Sequence, residues 1–284
     1  MSAGIHAESN TLPIGILDSG VGGLSILNEL RRTLPQERFI YLGDTLNAPY
    51  GSRDETEIRA LVDRAAAMLY RRGLKALVLG SSTITTVALS YLQSRYELPI
   101  IGTSPAVKLA VEATKSGVIG VLSTRATARG ELLAELIDEF ATPAGVKVLP
   151  AWHDDLVPLV ERGQVDTPAV QIVLDEVLSP LASVGVDQLV LASTHFTFLQ
   201  PVIRARFGET FEFVDSAETV ARDLNRVLQE QGLDIPSAEP GSVTYLFTGD
   251  LDEARSVLVS LLSHAKHQSF CSPVQLNVES VQAG

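Results

Sequence analysis

Ala76-Leu77-Val78-Leu79-Gly80-Ser81-Ser82-Thr83 and Gln188-Leu189-Val190-Leu191-Ala192-Ser193-Thr194-His195 share one pattern. Each runs from a short apolar segment through a small residue to a serine and further hydroxyl residues. An apolar run without polar alternation reads as a strand covered on both faces, as in parallel sheets. The serine falls where the strand gives way to a turn or helix N-terminus, whose free backbone N–H groups suit a carboxylate. Serine and threonine also simply cap helices there, and for any single turn capping is the more common explanation.

The same alternation extends outward along the chain. Apolar, β-branched runs at 14–17, 39–42, 99–101, 118–122, 147–149 and 211–214 are separated by stretches of helical period at 24–32, 55–72, 87–96, 106–114, 131–139, 168–183 and 217–229. Such β/α alternation predicts an α/β fold of two similar lobes, each a mainly parallel sheet flanked by helices. In such sheets ligands lie beyond the carboxyl ends of the strands, so the ligand cleft is expected between the lobes and lined by these turns. After Asp234 a loop is expected to lead to a strand at 243–247 and a final helix, with 264–284 as a tail of little helical period that is open to partial flexibility.

Composition narrows the function. The 284 residues carry 34 acidic against 22 basic side chains, a formal charge of −12, and the basic residues are scattered. Non-specific nucleic-acid binding needs a basic face and is therefore not expected. The single cysteine, Cys271, cannot close an intramolecular disulfide. No Cys-x-x-Cys spacing proposes a zinc site, so no metal is expected. The N-terminus has no basic segment followed by an apolar run, and no apolar stretch nears the ~18 residues that span a bilayer. A cytoplasmic protein without a membrane partner is the simplest expectation.

Two further turns precede helical segments. Asp18-Ser19-Gly20-Val21-Gly22-Gly23 follows the first strand, and its glycines permit close backbone approach to an anion. It is neither a dinucleotide fingerprint nor a phosphate loop, because the glycine spacing and the Gly-Lys-Ser/Thr are both missing. Gly43-Asp44 through Asn47-Ala48-Pro49-Tyr50-Gly51-Ser52 either presents a tyrosine and backbone amides to a ligand or is an ordinary loop.

Taken in order, these motifs resemble the glutamate racemases of the aspartate/glutamate racemase superfamily, over about residues 14–233. Asp18-Ser19-Gly20-Val21-Gly22-Gly23 is similar to the family's opening motif, Pro49-Tyr50-Gly51 to its second substrate turn, and Val214-Asp215-Ser216-Ala217 to the segment returning the chain to the first lobe. The resemblance implies a first lobe of 1–103 plus 214–284 and a second of 104–213. It implies cofactor-independent racemisation of glutamate, a peptidoglycan precursor in its D form, and commonly a homodimer. Asp18, Ser19, Pro49, Tyr50, Gly51, Ser82, Thr83, Thr194 and His195 would contact glutamate or a similar acidic amino acid.

The departure lies at the chemistry. Where the family reads Ala-Cys-Asn-Thr and Gly-Cys-Thr-His-Tyr-Pro, with the cysteines as acid and base on opposite faces of the α-carbon, this chain reads Gly80-Ser81-Ser82-Thr83 and Ala192-Ser193-Thr194-His195-Phe196-Thr197. Both acid/base positions, Ser81 and Ser193, are hydroxyls. A thiol with a pKa of about 8.5 is readily tuned to neutrality, whereas a hydroxyl deficit of about five units adds roughly 7 kcal/mol to the barrier, or about five orders of magnitude in rate. His195 stands close to Ser193 and is a candidate catalytic residue, although no Gly-x-Ser-x-Gly elbow marks a hydrolase.

Neighbouring positions differ from the family as well. Ser82 replaces Asn, Ile84 replaces Ala, Phe196-Thr197 replaces Tyr-Pro, and His153-Asp154 replaces a Cys-Pro ahead of the retained Val157-Pro158-Leu159-Val160-Glu161. That spread fits natural divergence better than two point substitutions, and the bulk of Ile84 bears on pocket size. The expectation is a racemase homologue with impaired or lost activity. Two alternatives stay open: a still active racemase or related isomerase using other groups, and a regulatory binding protein, since some glutamate racemases bind DNA gyrase.

Overall fold

A computed structural model describes residues 10–235, 239–264 and 277–281. The chain divides into two compact units, Met1–Thr103 with Ala217–Leu258 and Ser269–Gly284, and Ser104–Ser216 with Val259–Gln268. The strands are β1 (Ile14–Asp18), β2 (Phe39–Gly43), β3 (Ala76–Leu79), β4 (Ile100–Ile101), β5 (Val118–Leu122), β6 (Lys147–Ala151), β7 (Gln188–Leu191), β8 (Glu212–Asp215), β9 (Val243–Phe247) and β10 (Asn277–Ser280).

The first unit holds a six-stranded sheet in the order β10-β9-β2-β1-β3-β4. Every pairing in it is parallel. β1, β2 and β3 are buried along their whole length, which explains why their sequences lack polar alternation. The second unit holds a four-stranded parallel sheet in the order β6-β5-β7-β8. Its central strand β7 is buried throughout, whereas the edge strands β6 and β8 carry exposed residues.

Local signals set the helices. Asp54 caps the helix Glu55–Tyr70 by accepting a hydrogen bond from Glu57 N at 2.9 Å. Pro168 opens the helix Pro168–Ser183 behind the Thr167 cap, where its missing N–H costs nothing. In Ala217–Glu230 the buried Ala217, Val220, Ala221, Leu224 and Leu228 recur at helical spacing and form one apolar stripe.

Three expectations need correction. Val214 and Asp215 belong to β8, paired with Val190 and Leu191, so the passage between units falls after Ser216 rather than before residue 214. Among the described residues of the expected first-lobe tail, 259–264 group with the second unit. Within the expected tail, 277–280 form β10 beside β9, giving that strand a ladder that its polar sequence does not announce. The rest of that tail, Cys271 included, lies outside the described residues.

Glycine sets how closely the strand ends approach. A Cβ on Gly43 would come within 2.4 Å of the Gly20 carbonyl oxygen, and one on Gly80 within 3.0 Å of Gly23 Cα. The turns after β1, β2 and β3 therefore meet backbone to backbone.

Candidate functional site

In the first unit, three turns gather at the carboxyl ends of β1, β2 and β3. Asp18 ends β1 and is fully buried. Its Oδ2 accepts hydrogen bonds from Gly23 N at 2.9 Å, Gly20 N at 3.4 Å and the Tyr41 hydroxyl at 3.2 Å. Tyr41 also donates to the Gly20 carbonyl at 2.8 Å. The carboxylate thus fixes the glycine turn at the start of the helix Leu24–Thr33, where negative charge is favourable. Ser19 is buried beside it.

Asp44 organises the second turn. Its carboxylate accepts from the Tyr50 hydroxyl at 2.5 Å, Thr248 Oγ1 at 2.5 Å and Asn47 Nδ2 at 3.0 Å to each oxygen. Thr248 Oγ1 in turn accepts from Leu46 N at 3.1 Å. Tyr50 is buried, and burial together with the facing Asp44 charge pushes its hydroxyl pKa well above the usual value. Its side chain therefore serves the turn, leaving the exposed Pro49 and Gly51 as the accessible part of Pro49-Tyr50-Gly51. A Cβ on Gly51 would meet nothing within 4 Å, so its backbone borders open space.

Ser81 follows β3 as N-cap of the helix Ser82–Arg95, with φ −141° and ψ 132° and no capping bond from its side chain. Its carbonyl accepts from Thr85 N at 2.9 Å and Thr85 Oγ1 at 3.0 Å. Ser81, Ser82 and Thr83 are half-buried, so hydroxyls and helix N-terminal N–H groups are presented together. Ile84 points the other way, fully buried in the core with Leu79, Ala88 and Leu92, and cannot narrow a pocket.

The second unit repeats this arrangement after β7. Ser193 precedes the 3-10 turn Thr194–Leu199 with φ −127° and ψ 133°, again without a capping bond from its side chain. Here a histidine stands behind the serine. Ser193 Oγ lies 3.4 Å from His195 Nδ1, and His195 Nε2 lies 2.6 Å from Glu161 Oε1. A carboxylate only accepts, so Nε2 donates to Glu161, and Nδ1 is the nitrogen that faces the serine hydroxyl. Ser193, Thr194 and His195 are each less than a tenth exposed. Phe196 is buried, and Thr197 donates to Asp215 Oδ2 at 3.4 Å.

The sequence reading passed over two groups. Asp44 stood there only as a neighbour of the tyrosine turn, and Glu161 only as part of a retained motif. Their partners Thr248 and His195 lie 204 and 34 residues away, beyond any local spacing signal. Among the described residues no group of three or more His, Cys, Asp or Glu is placed to hold a metal ion. No helix among them is long and apolar enough to cross a membrane.

Residues 14–224 match the family described as Asp/Glu/Hydantoin racemase. The chain is 52% identical over 255 residues to the glutamate racemase of Deinococcus radiodurans, which covers 90% of this chain and 88% of that protein. Among solved structures, glutamate racemase isoform RacE1 of Bacillus anthracis superimposes with a TM-score of 0.80 at 29% identity, covering 96% of this chain and 98% of that one. The glutamate racemase of Francisella tularensis in complex with D-glutamate gives 0.77 at 25% identity, with 96% and 98% covered.

Proposed function

Because the chain belongs to the Asp/Glu/hydantoin racemase family, as a homologue of the glutamate racemases, we propose that it binds glutamate or a similar acidic amino acid and has lost the two-thiol racemisation. The observation that carries this reading is the matched pair of serines. Ser81 and Ser193 end corresponding strands in nearly the same extended conformation, each with a side chain uncommitted to capping. In the resemblance described above these are the acid and base positions.

The binding half of the function needs no thiol. Backbone N–H groups at the start of the helix Ser82–Arg95, with the hydroxyls of Ser82 and Thr83, suit a carboxylate. In the same unit Pro49 and Gly51 offer an accessible backbone edge, and the second unit carries polar groups of its own in Thr194 and His195. Asp18 and Tyr50 hold the turns of the first unit in shape, with Ser19 buried beside Asp18. The catalytic half does need a thiol's acidity. Removing an α-proton and returning one on the opposite face requires groups that change protonation near neutral pH, and an alkoxide lies about five units too high, roughly 7 kcal/mol. No cofactor enters this reading.

Calorimetry with L- and D-glutamate, together with polarimetric assay of racemisation, tests it. Wild type is expected to bind both enantiomers and interconvert neither, and Ser81→Cys with Ser193→Cys to gain interconversion. A double variant that neither binds nor racemises glutamate overturns the reading.

A further inference from the structure

The turn that carries Pro49 and Gly51 is held from a distant part of the first unit. Both residues are exposed, and a Cβ on Gly51 would meet nothing within 4 Å, so this edge is fixed from its flanks rather than by packing over it. One flank is tied to the turn that follows β9. Thr248 Oγ1 donates to Asp44 Oδ1 at 2.5 Å and accepts from Leu46 N at 3.1 Å, while Thr45 Oγ1 accepts from Gly249 N at 3.1 Å. The backbones also join directly, Thr248 N donating to the Gly43 carbonyl at 3.3 Å. A Cβ on Gly249 would come within 2.7 Å of Thr45 Oγ1, so the two turns meet with no room for a further side chain. Each threonine thus bonds the backbone of the other's turn, and all of these residues belong to the first unit.

We infer that Thr248 and Thr45 are positioning residues for the amino-acid ligand: they hold the turn 44–52 in the shape that presents Pro49 and Gly51, so that the segment after β9 sets ligand affinity. This rests on the amino-acid-binding reading. A loop that must be ordered when ligand arrives subtracts that ordering from the affinity, whereas a loop already ordered on folding does not. The Thr248 hydroxyl supplies such order at two points, because it donates to a buried carboxylate and accepts from a backbone amide. Without it the Leu46 N–H loses its acceptor and the short 3-10 turn Thr45–Asn47 loses its tie to β9. Tyr50 differs in this respect. Its buried ring keeps its place when the hydroxyl is removed, whereas Thr248 reaches the backbone of the turn through the hydroxyl itself.

Calorimetry with L- and D-glutamate on the intact protein, paired with urea unfolding of the same samples, tests this. Thr248→Val keeps the shape of the side chain and removes the hydroxyl. It is expected to weaken glutamate binding about tenfold, and Thr248→Ser to return it to within about threefold of wild type. Thr45→Val takes away the acceptor for Gly249 N and is expected to weaken binding about threefold. The double variant Thr45→Val with Thr248→Val should fall short of the product of the two effects, because both side chains hold one turn.

A merely structural role gives a different result. It lowers the urea midpoint but leaves the folded fraction near one in buffer, so the dissociation constant stays at the wild-type value. If wild type binds glutamate and Thr248→Val binds it equally well, or Thr248→Ser is as weak as Thr248→Val, this inference fails and the binding reading stands. Should Thr248→Val not fold, Thr45→Val decides, and unchanged affinity there overturns the inference. Absence of wild-type binding to either enantiomer sinks both readings together.

Discussion

Tyr50 shows how a residue that belongs to a substrate motif acts without offering its side chain. Its hydroxyl is spent on Asp44, whose carboxylate also receives Thr248 and Asn47, so the turn at 44–52 is fastened to the end of β9. Tyr50→Phe removes a donor from a buried carboxylate that keeps its other partners. It is expected to lower stability by about 1–3 kcal/mol in urea titrations. Glutamate affinity, measured alongside, is expected to change little, because the tyrosine ring still fills its place. The sequence marked Tyr50 as a candidate site residue but could not show which way the hydroxyl turned. That direction is decided by Thr248 and Asp44 meeting across 204 residues. The same limit hid Glu161, whose role appears only once the helix Leu156–Glu161 lies beside the turn that bears His195.

At the scale of elements, the order of strands and helices was legible because buried parallel strands read as unbroken apolar runs. β1, β3, β5 and β7 were each placed within a residue of their observed bounds. β10 was not legible. Asn277-Val278-Glu279-Ser280 has no such run, and pairing with β9 overrides its weak local preference. Where elements join, two features decide the geometry. Gly43→Ala is expected to destabilise by about 1–3 kcal/mol or more in thermal or urea unfolding, since its Cβ meets the fixed Gly20 carbonyl and Phe247 rather than a side chain free to swing away.

Asp187, just ahead of β7, ties that strand to the end of the helix Val107–Ala113. Its carboxylate accepts from Thr114 Oγ1 at 2.6 Å, Lys115 N at 2.7 Å and Ser116 N at 2.9 Å. Burial pushes this carboxyl up, but the hydrogen bonds from Thr114, Lys115 and Ser116 outweigh it and hold the pKa below the ordinary value. A carboxyl depressed on folding contributes stability above its unfolded pKa and loses it as pH falls through the folded one. Asp187→Asn is therefore expected to lower the urea midpoint near neutral pH. The gap to wild type should close as acid protonates the wild-type carboxyl below the ordinary Asp range.

At the scale of the whole molecule, a buried ion pair joins distant stretches of the first unit. Lys75 Nζ lies 2.6 Å from Glu37 Oε2, with both side chains fully buried. The ammonium also donates to the carbonyls of Asn10 at 2.9 Å and Leu233 at 2.8 Å, and Ile235 N donates to Glu37 Oε1 at 3.2 Å. Burial pushes the Lys75 pKa down while Glu37 opposes it. Lys75→Met strands a carboxylate in the interior and is expected to cost about 3–5 kcal/mol by urea unfolding. The double change Lys75→Met with Glu37→Met should recover most of that loss.

The register of β9 against β2 has a consequence during synthesis. The four strands of the second sheet lie in one continuous stretch, Val118 to Asp215, whereas β2, paired with β1 on one side, finds its other neighbour only at Val243–Phe247. A ribosome adding about 5–20 residues per second spends roughly 10–40 s between making Gly43 and Val243. Throughout that interval the β9-side edge of β2, rich in aromatic and branched residues, lacks its native neighbour, and the second sheet receives its last strand, ending at Asp215, before β9 is made. A nascent or prematurely terminated chain therefore exposes a specific adhesive edge, and chaperones that shield unpaired strands would find their target at Phe39–Gly43.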